Sequence, residues 1–227
     1  MHSYSVQEAL DRHLHAVGIF LDLSKAFNLI NHNRLLDKLY SYGVRGSANR
    51  WFESYLTNRT QFVEISQTDR SNHTQRRFQS LPRAITHGVP KGSILGPLLF
   101  LVYINDLLLN IHEAKLILYT DDTNIFLTNK NEEALQAKLS LVMKQLEGWF
   151  FKNDLIINTT KTVAMPFHLC CSKRPFKPHI LLQYTEIYYM SEVKFLGICI
   201  TENLSWHTHI CYLCHSLSKT YYIIKSV

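Results

Sequence analysis

Two adjacent aspartates, Asp121 and Asp122, interrupt a mostly apolar stretch (115–127), and a third, Asp22, directly follows another apolar run (17–21). Short apolar runs of this kind predict buried strands. Carboxylates at the ends of such strands can gather at one edge of a sheet. Because neighbouring carboxylates repel each other unless a positive charge holds them, the pattern predicts a sheet with a cation site at its edge.

A solvated turn is the competing interpretation of the aspartate pair, since aspartate is a favoured turn residue. Taken alone, the pair favours that simpler interpretation. Two observations argue for a metal site: both flanking strands are apolar, and Asp22 repeats the same placement at a strand end. Mg²⁺ prefers oxygen ligands, and two such ions can stabilise both the attacking and the leaving oxygen of a phosphoryl transfer.

The size and composition of the chain predict a globular protein. Its 227 residues suffice for one hydrophobic core with a small appendage, and 46% of them are hydrophobic. The net charge of +6 permits nucleic acid binding but does not establish it. The longest apolar stretch (94–104) contains Gly96 and Pro97 and is too short to cross a bilayer, so we predict no membrane partner.

The cysteines favour a reducing, intracellular compartment. There are five, an odd number, and all lie in the last quarter of the chain. The residues after Met1 are polar, which predicts that no secretory leader is present. A disulfide framework is therefore not expected. The sequence does not choose between nucleus and cytoplasm, and it leaves the oligomeric state unknown.

The periodicity of apolar residues predicts an α+β fold in which an antiparallel sheet carries helices on one face, as in a split βαβ arrangement. The clearest helix is 131–152. A helix beginning near Ser47 is expected to turn one apolar stripe to the core: Ala48, Trp51, Phe52, Tyr55 and Leu56. The other expected elements are a helix at 4–15, a strand at 16–22, a helix beginning near Asn31 or Asn33, a hairpin within 61–86, a long buried helix at 94–109, the aspartate hairpin, strands at 155–158 and 162–167, a hairpin around 180–200 and a helix from about Trp206.

Five segments, in order, resemble the palm motifs of reverse transcriptases from non-LTR retrotransposons. They are FLDLSKAFN (20–28), GVPKGSILGPLLF (88–100), YTDD (119–122), the region from WF to NTTKT (149–162) and FLG (195–197). The resemblance spans about residues 10–225. Five motifs in order are a much stronger signal than any one of them.

The resemblance implies a polymerase palm with a ferredoxin-like core, fingers largely missing and a truncated thumb. Residues 1–200 would form the palm-like domain and 201–227 the start of a thumb-like helical segment. The implied activity is RNA-directed DNA synthesis, in which the primer 3′-hydroxyl attacks a deoxynucleoside triphosphate. The implied partners are an RNA template and a DNA primer, and the implied cofactor is a pair of Mg²⁺ ions, with Mn²⁺ as a substitute.

The resemblance also assigns roles to single residues. Asp22, Asp121 and Asp122 would hold the metal ions and act in catalysis, and Lys161 would assist the leaving pyrophosphate. The substrate-binding residues would be Leu23, Phe27, Pro90, Lys91 and Gly92, with the Phe27 ring excluding a ribose 2′-hydroxyl. The simpler interpretations are a core phenylalanine for Phe27, a surface lysine for Lys161 and a plain loop for 90–92.

Three residues differ from the family pattern. Asn28 replaces a second aspartate that is not a metal ligand, Thr120 replaces a small alanine, and Lys91 replaces a glutamine. The threonine side chain could crowd the primer end. The lysine keeps a hydrogen-bond donor, loses an acceptor and adds charge.

Two other functions stay open. One is a catalytically inactive remnant that binds nucleic acid through basic residues such as Arg45, Arg50, Arg59, Arg76, Arg77 and Arg83. The other is a zinc-dependent interaction module in the tail, built from His207, His209, Cys211, Cys214 and His215. A core helix is the simpler interpretation of that tail, with a stripe formed by Ile210, Leu213, Cys214, Leu217, Tyr221 and Ile224.

Overall fold

The computed structural model describes residues 6–68, 75–90, 92–169 and 175–225. The chain divides into two compact units. The sheet unit comprises Met1–Ser24, Leu107–Phe151 and Ile157–Val227, and the helical unit comprises Lys25–Asp106 and Lys152–Ile156. The boundary expected at residue 200, between palm-like and thumb-like segments, stays a prediction.

The described chain contains runs of helices and runs of strands. In order they are α1 (Val6–Asp11), β1 (His15–Leu21), α2 (Ala26–Leu29), α3 (His32–Ser41), α4 (Gly46–Leu56), β2 (Arg59–Gln61), β3 (Glu64–Thr68), β4 (Gln75–Gln79), β5 (Arg83–Ile85), α5 (Leu95–Ile104), α6 (Leu107–Asn110), β6 (Lys115–Tyr119), β7 (Asp122–Asn129), α7 (Glu132–Lys152), β8 (Val163–Phe167), β9 (Leu181–Leu182), β10 (Thr185–Glu186), β11 (Tyr188–Tyr189), β12 (Glu192–Phe195), β13 (Ile198–Thr201) and α8 (His207–Lys225). Within the described ranges, no helix is both long and apolar enough to span a membrane.

The sheet unit is built on a five-stranded sheet with strand order β11-β8-β1-β7-β6. Strand β1 lies at its centre and pairs antiparallel with both β7 and β8, while the short edge strand β11 pairs parallel with β8. The sheet is thus mostly antiparallel, and the α+β class predicted from the sequence is confirmed.

Both faces of β1 are apolar and largely buried, as expected for a central strand. On one face, Ala16 packs with Leu10 of α1 and with Phe167 of β8. Gly18 lies on this face too, and a Cβ atom there would come within 3.0 Å of the Phe167 ring. Because Gly18 has no side chain, the Phe167 ring can occupy the space above it.

Helix α7 confirms the strongest helix prediction. Asn131 caps it, because its side-chain oxygen accepts a hydrogen bond of 2.9 Å from the Glu133 amide. Its buried residues recur every three or four positions and form one continuous stripe: Leu135, Leu139, Val142, Met143, Leu146, Trp149 and Phe150. The stripe supplies a large part of the core of the sheet unit.

Helix α8 begins next to Trp206, as predicted, but it is not a core helix. Its apolar residues Ile210, Leu213, Leu217, Tyr221 and Ile224 are all exposed. The expected burial of this stripe is wrong for the described chain. The periodicity of the stripe is helical, and periodicity alone cannot say whether anything packs against it.

The helical unit packs α3, α4 and α5 around a core of Leu35, Leu39, Leu56, Leu99, Phe100 and Tyr103. The short segment Lys152–Ile156 belongs to this unit. Its Asp154 carboxylate accepts hydrogen bonds from Arg34 and Asn31, and its Asn153 carbonyl accepts one from the Tyr103 hydroxyl. Two antiparallel ribbons, β2–β5 and β3–β4, complete the unit, where the sequence predicted one hairpin.

Three other predictions about elements are wrong. The long helix expected at 94–109 is divided into α5 and α6, because the Lys38 ammonium binds both the Tyr103 carbonyl and the Asp106 carboxylate at the break. The strand expected at 155–158 is reduced to a single bridge between Ile157 and Leu23. The stripe expected in the core on α4 is mostly open, since only Leu56 is buried.

Candidate active site

Asp22 is fixed at the end of β1 by the segment that precedes β8. Its backbone carbonyl accepts a hydrogen bond of 2.8 Å from the Asn158 amide, and its backbone amide donates one of 3.4 Å to the Thr162 hydroxyl. The Asn158 side-chain amide donates to the Asp22 carboxylate at 3.1 Å. The next residue, Leu23, is buried and bridges to Ile157. The Asp22 carboxylate is therefore held in place and half-exposed.

The aspartate pair lies at the tip of the β6–β7 hairpin. Asp122 pairs with Tyr119, so the turn consists of Thr120 and Asp121. Thr120 has a φ of 50°, a left-handed conformation that is strained for a β-branched residue. Its hydroxyl donates a hydrogen bond of 2.9 Å to the Asp121 carboxylate.

Replacing Thr120 by glycine is expected to raise the free energy of unfolding by about 1 kcal/mol, because glycine adopts a positive φ without steric cost. Denaturant unfolding measures the change. The matched control is Thr128→Gly, in the interior of β7, where glycine should lower stability instead. Equal effects at the two positions would contradict the strain assigned to Thr120.

The strand register brings the three aspartates to one end of the sheet. Leu21 of β1 pairs with Thr123 of β7, so the next position along places Asp22 opposite Asp122. Partial burial raises the pKa of Asp122, and the negative charges of Asp121 and Asp22 raise that pKa further. The carboxylates of Asp121 and Asp22 therefore lie near enough to repel that of Asp122.

The raised pKa of Asp122, caused by partial burial and by the two neighbouring negative charges, predicts a pH dependence of stability. A pKa that is raised in the folded protein means that the folded state binds more protons than the unfolded state between the two pKa values. The free energy of unfolding should therefore fall as pH rises from the ordinary range of an aspartate to the raised pKa of Asp122. Denaturant unfolding of the wild type and Asp122→Asn at a series of pH values measures this. A wild-type curve parallel to that of the variant would contradict the raised pKa of Asp122.

Two segments of the helical unit that carry substrate-binding candidates are tied together by hydrogen bonds. The Val89 amide donates to the Phe27 carbonyl at 2.9 Å, and the Gly88 amide donates to the Ile30 carbonyl at 2.8 Å. The buried His32 ring donates from Nε2 to the Gly88 carbonyl at 2.7 Å. Phe27 itself is half-buried, with its ring centre 5.0 Å from that of Phe100.

The loop before α5 holds the other candidates of the helical unit. Ser93 organises it, because its hydroxyl donates to the Pro90 carbonyl and accepts from the Gly96 amide. Pro90 is half-buried, and Gly92 is exposed with a φ of 74°. Lys91 lies outside the described residues.

The family of the chain follows from comparison with known proteins. The family model described as reverse transcriptase (RNA-dependent DNA polymerase) matches residues 2–200. The chain belongs to the reverse transcriptase family. The resemblance inferred from the five motifs is thereby confirmed.

The relatives of this reverse transcriptase chain are products of mobile elements. It is 28% identical to a probable RNA-directed DNA polymerase from transposon BS of Drosophila melanogaster, over 90% of this chain and 22% of that protein. It is 27% identical to the RNA-directed DNA polymerase from mobile element jockey of the same species, over 89% of this chain and 21% of that protein. These relatives confirm the prediction of a non-LTR retrotransposon type. The chain spans about a fifth of their length.

A solved structure shares the fold of this reverse transcriptase chain. It is apo telomerase from Candida tropicalis, truncated from its C-terminal domain, with a TM-score of 0.51 and 14% sequence identity. The match covers 88% of this chain and 37% of that one. At this identity the likeness concerns the fold alone.

Reverse transcriptases use divalent metal ions, and the acidic end of the sheet offers suitable oxygen donors. Partial burial raises the pKa of Asp122, and the nearby negative charges of Asp121 and Asp22 add to that effect. Even so, among the described residues no three His, Cys, Asp or Glu side chains are close enough together to hold a metal ion. The donor chemistry thus fits divalent ions, without a preformed cage of three protein ligands. Mg²⁺ is usually held by one or two carboxylates, completed by water and substrate phosphates.

Lys161 is the nearest cation described at this end of the sheet. Its ammonium lies 3.9 Å from the Asp22 carboxylate, at the outer limit of an ion pair, and its side chain is 70% exposed. An exposed pair of this length stabilises little. The side chain can therefore leave Asp22 at little cost.

Sequence reasoning missed the residues that support the site. Asn158 and Thr162 hold Asp22, and His32 holds Gly88. Asn158 and Thr162 lie within the fourth motif (149–162), but their partner Asp22 is far away in the sequence. Only the hydrogen bonds that form in the folded chain identify them as supporting residues.

The tail does not assemble a zinc site in the described part of the chain. The Cys211 Sγ atom lies 3.7 Å from the His207 Nε2 atom, one turn away on α8. Among the described residues, no third ligand lies close to this pair. A structural zinc site almost always has four ligands. The structure thus gives the zinc alternative no support.

Proposed function

We propose that this chain is the catalytic part of an RNA-directed DNA polymerase that transfers deoxynucleotides onto a primer 3′-hydroxyl. One observation carries the proposal: in a chain of the reverse transcriptase family, β1 and the β6–β7 hairpin bring Asp22, Asp121 and Asp122 to the same end of the sheet. Excess negative charge at this position suits a reaction assisted by cations.

Asp22 and Asp121 are the proposed ligands of two Mg²⁺ ions, for which Mn²⁺ can substitute, and Asp122 contributes more weakly. Such ions supply charge stabilisation to both the attacking and the leaving oxygen. Asn158 holds the Asp22 carboxylate through its side-chain amide and leaves its other oxygen available. Lys161 adds a mobile positive charge where pyrophosphate would leave. The Thr120 hydroxyl donates a hydrogen bond to one carboxylate oxygen of Asp121.

The proposed substrates are an RNA template, a DNA primer and deoxynucleoside triphosphates. Leu23, Phe27, Pro90, Lys91 and Gly92 are the proposed binding residues. The half-buried Phe27 ring leaves part of its surface open, as a side chain that excludes a 2′-hydroxyl requires. The names of the relatives support the choice of template and product.

Primer extension tests the proposal. A labelled DNA primer annealed to an RNA template is incubated with deoxynucleotides, Mg²⁺ and either the wild-type chain or Asp121→Asn. Extension by the wild type that the variant lacks supports the polymerase. No extension by a folded wild-type chain, with Mg²⁺ or with Mn²⁺, overturns it for this chain.

The second candidate is a catalytically inactive remnant that binds nucleic acid. The excess of basic over acidic residues, a net charge of +6, permits such binding. Nucleic acid binding without extension, with affinity that falls as salt rises, is the outcome that would favour it.

A further inference from the structure

Helix α4 of the helical unit carries a pair of stacked aromatic rings, of which Trp51 is exposed and Tyr55 is half-buried. The rings of Trp51 and Tyr55 are 5.4 Å apart and nearly parallel, at 11°. Trp51 is 52% exposed, although its spacing along the helix predicts a core position. A large aromatic side chain left open in this way is more typical of a binding surface than of a core.

Arginines extend this aromatic pair. The Arg59 guanidinium lies 5.9 Å from the centre of the Tyr55 ring. In the β2–β5 ribbon, Arg59 pairs with Ile85 and Gln61 pairs with Arg83. Because residues two apart on a strand and residues directly opposite share a face, Arg59 and Arg83 lie on the same face of the ribbon. Within the described part of the chain, neither arginine forms an ion pair.

The charge of the two units differs. The helical unit contains twelve Lys and Arg against six Asp and Glu, while the sheet unit contains twelve of each kind. The whole net charge of +6 therefore belongs to the helical unit. A polyanion is the partner that this balance favours.

We propose that the helical unit binds single-stranded nucleic acid on this surface, which we call the stacking row: Trp51, Tyr55, Arg59 and Arg83. Unpaired bases stack on exposed aromatic rings, and arginines contact the phosphates between them. A duplex hides its base faces, so it cannot use the rings in this way. An acidic protein could contact the arginines, but it would not explain the open indole.

The stacking row uses none of the residues proposed for catalysis. The choice of nucleic acid as the partner rests in part on the proposed function, and the row adds a second contact with a strand. RNA and DNA share the relevant chemistry, since both offer unpaired bases and phosphates.

Fluorescence anisotropy of labelled 20-nucleotide strands, oligo(dT) and oligo(U), tests the proposal. The measurement is made in EDTA without nucleotides, so its outcome does not depend on whether the chain polymerises. Trp51→Ala is expected to weaken binding about tenfold, and Trp51→Phe to restore most of the affinity. Arg59→Ala should reduce the slope of log affinity against log salt by about 0.7, whereas Arg59→Lys should preserve it.

Trp206→Ala is the matched control, because Trp206 is 61% exposed but belongs to the neutral sheet unit. It should bind both strands like the wild type. Thermal unfolding of each variant excludes loss of fold as the cause. Wild-type affinity in a folded Trp51→Ala chain overturns the proposal. So does an equal loss in Trp206→Ala, or a duplex that binds with the same dependence on Trp51.

Discussion

Asp22→Asn is expected to lower the rate of primer extension by about a thousandfold, the scale of losing one preorganised electrostatic group at a transition state. The substitution removes the charge that would bind metal ions. It keeps an oxygen that can accept the hydrogen bond from Asn158, so the local structure should survive. Gel-based single-nucleotide extension measures the rate.

The matched control is Asp11→Asn, on the exposed last residue of α1 in the same unit. This variant should extend primers like the wild type. Mg²⁺ binding gives an independent readout, because an ion that binds only the folded state raises the unfolding temperature. The wild type and Asp11→Asn should show this rise, and Asp22→Asn should lose most of it. A fully active Asp22→Asn chain would remove Asp22 from the catalytic site.

Gly88→Ala is expected to lower the free energy of unfolding by about 3 kcal/mol, from strain at a positive φ plus overpacking. Gly88 has a φ of 82°. A Cβ atom there would come within 2.8 Å of the Asn28 Cα atom and 2.9 Å of the Phe27 carbonyl oxygen. Backbone atoms cannot move aside cheaply, so the contact between the two segments must open. Denaturant unfolding measures the loss.

Gly43→Ala separates the two causes. Gly43 also has a positive φ, of 92°, but a Cβ atom there would meet nothing within 4 Å. Its substitution should cost only the backbone strain, about 1 kcal/mol. The same loss in both variants would show that the contact between 27–28 and 88 contributes nothing.

The parts of the fold that the sequence predicted well are those governed by local pattern. Three elements were predicted from residues that are close together in the sequence: strand β1, the aspartate hairpin and helix α7. The order of these elements then predicted an α+β fold with a mostly antiparallel sheet. The placement of the aspartates at one end of the sheet followed from that order.

The errors arise where a distant residue decides the outcome. Helix α5 stops because Lys38, on another helix, takes the Tyr103 carbonyl. The stripes of α4 and α8 are helical in period but open to solvent, and period does not report whether a partner exists. Asn158 could not be recognised as the support of Asp22, because 136 residues separate them.

Because β1 is apolar on both faces, sliding it by one residue would not move hydrophobic side chains into water, and hydrophobicity alone fixes its alignment weakly. Two features oppose such a shift in register. The Phe167 ring packs in the space above Gly18, and Asn158 forms hydrogen bonds to the backbone carbonyl and the carboxylate of Asp22. A glycine four positions upstream thus helps to aim an acidic side chain that it never touches. Replacing Gly18 by a larger residue would displace the Asp22 carboxylate, although it changes none of the proposed catalytic residues.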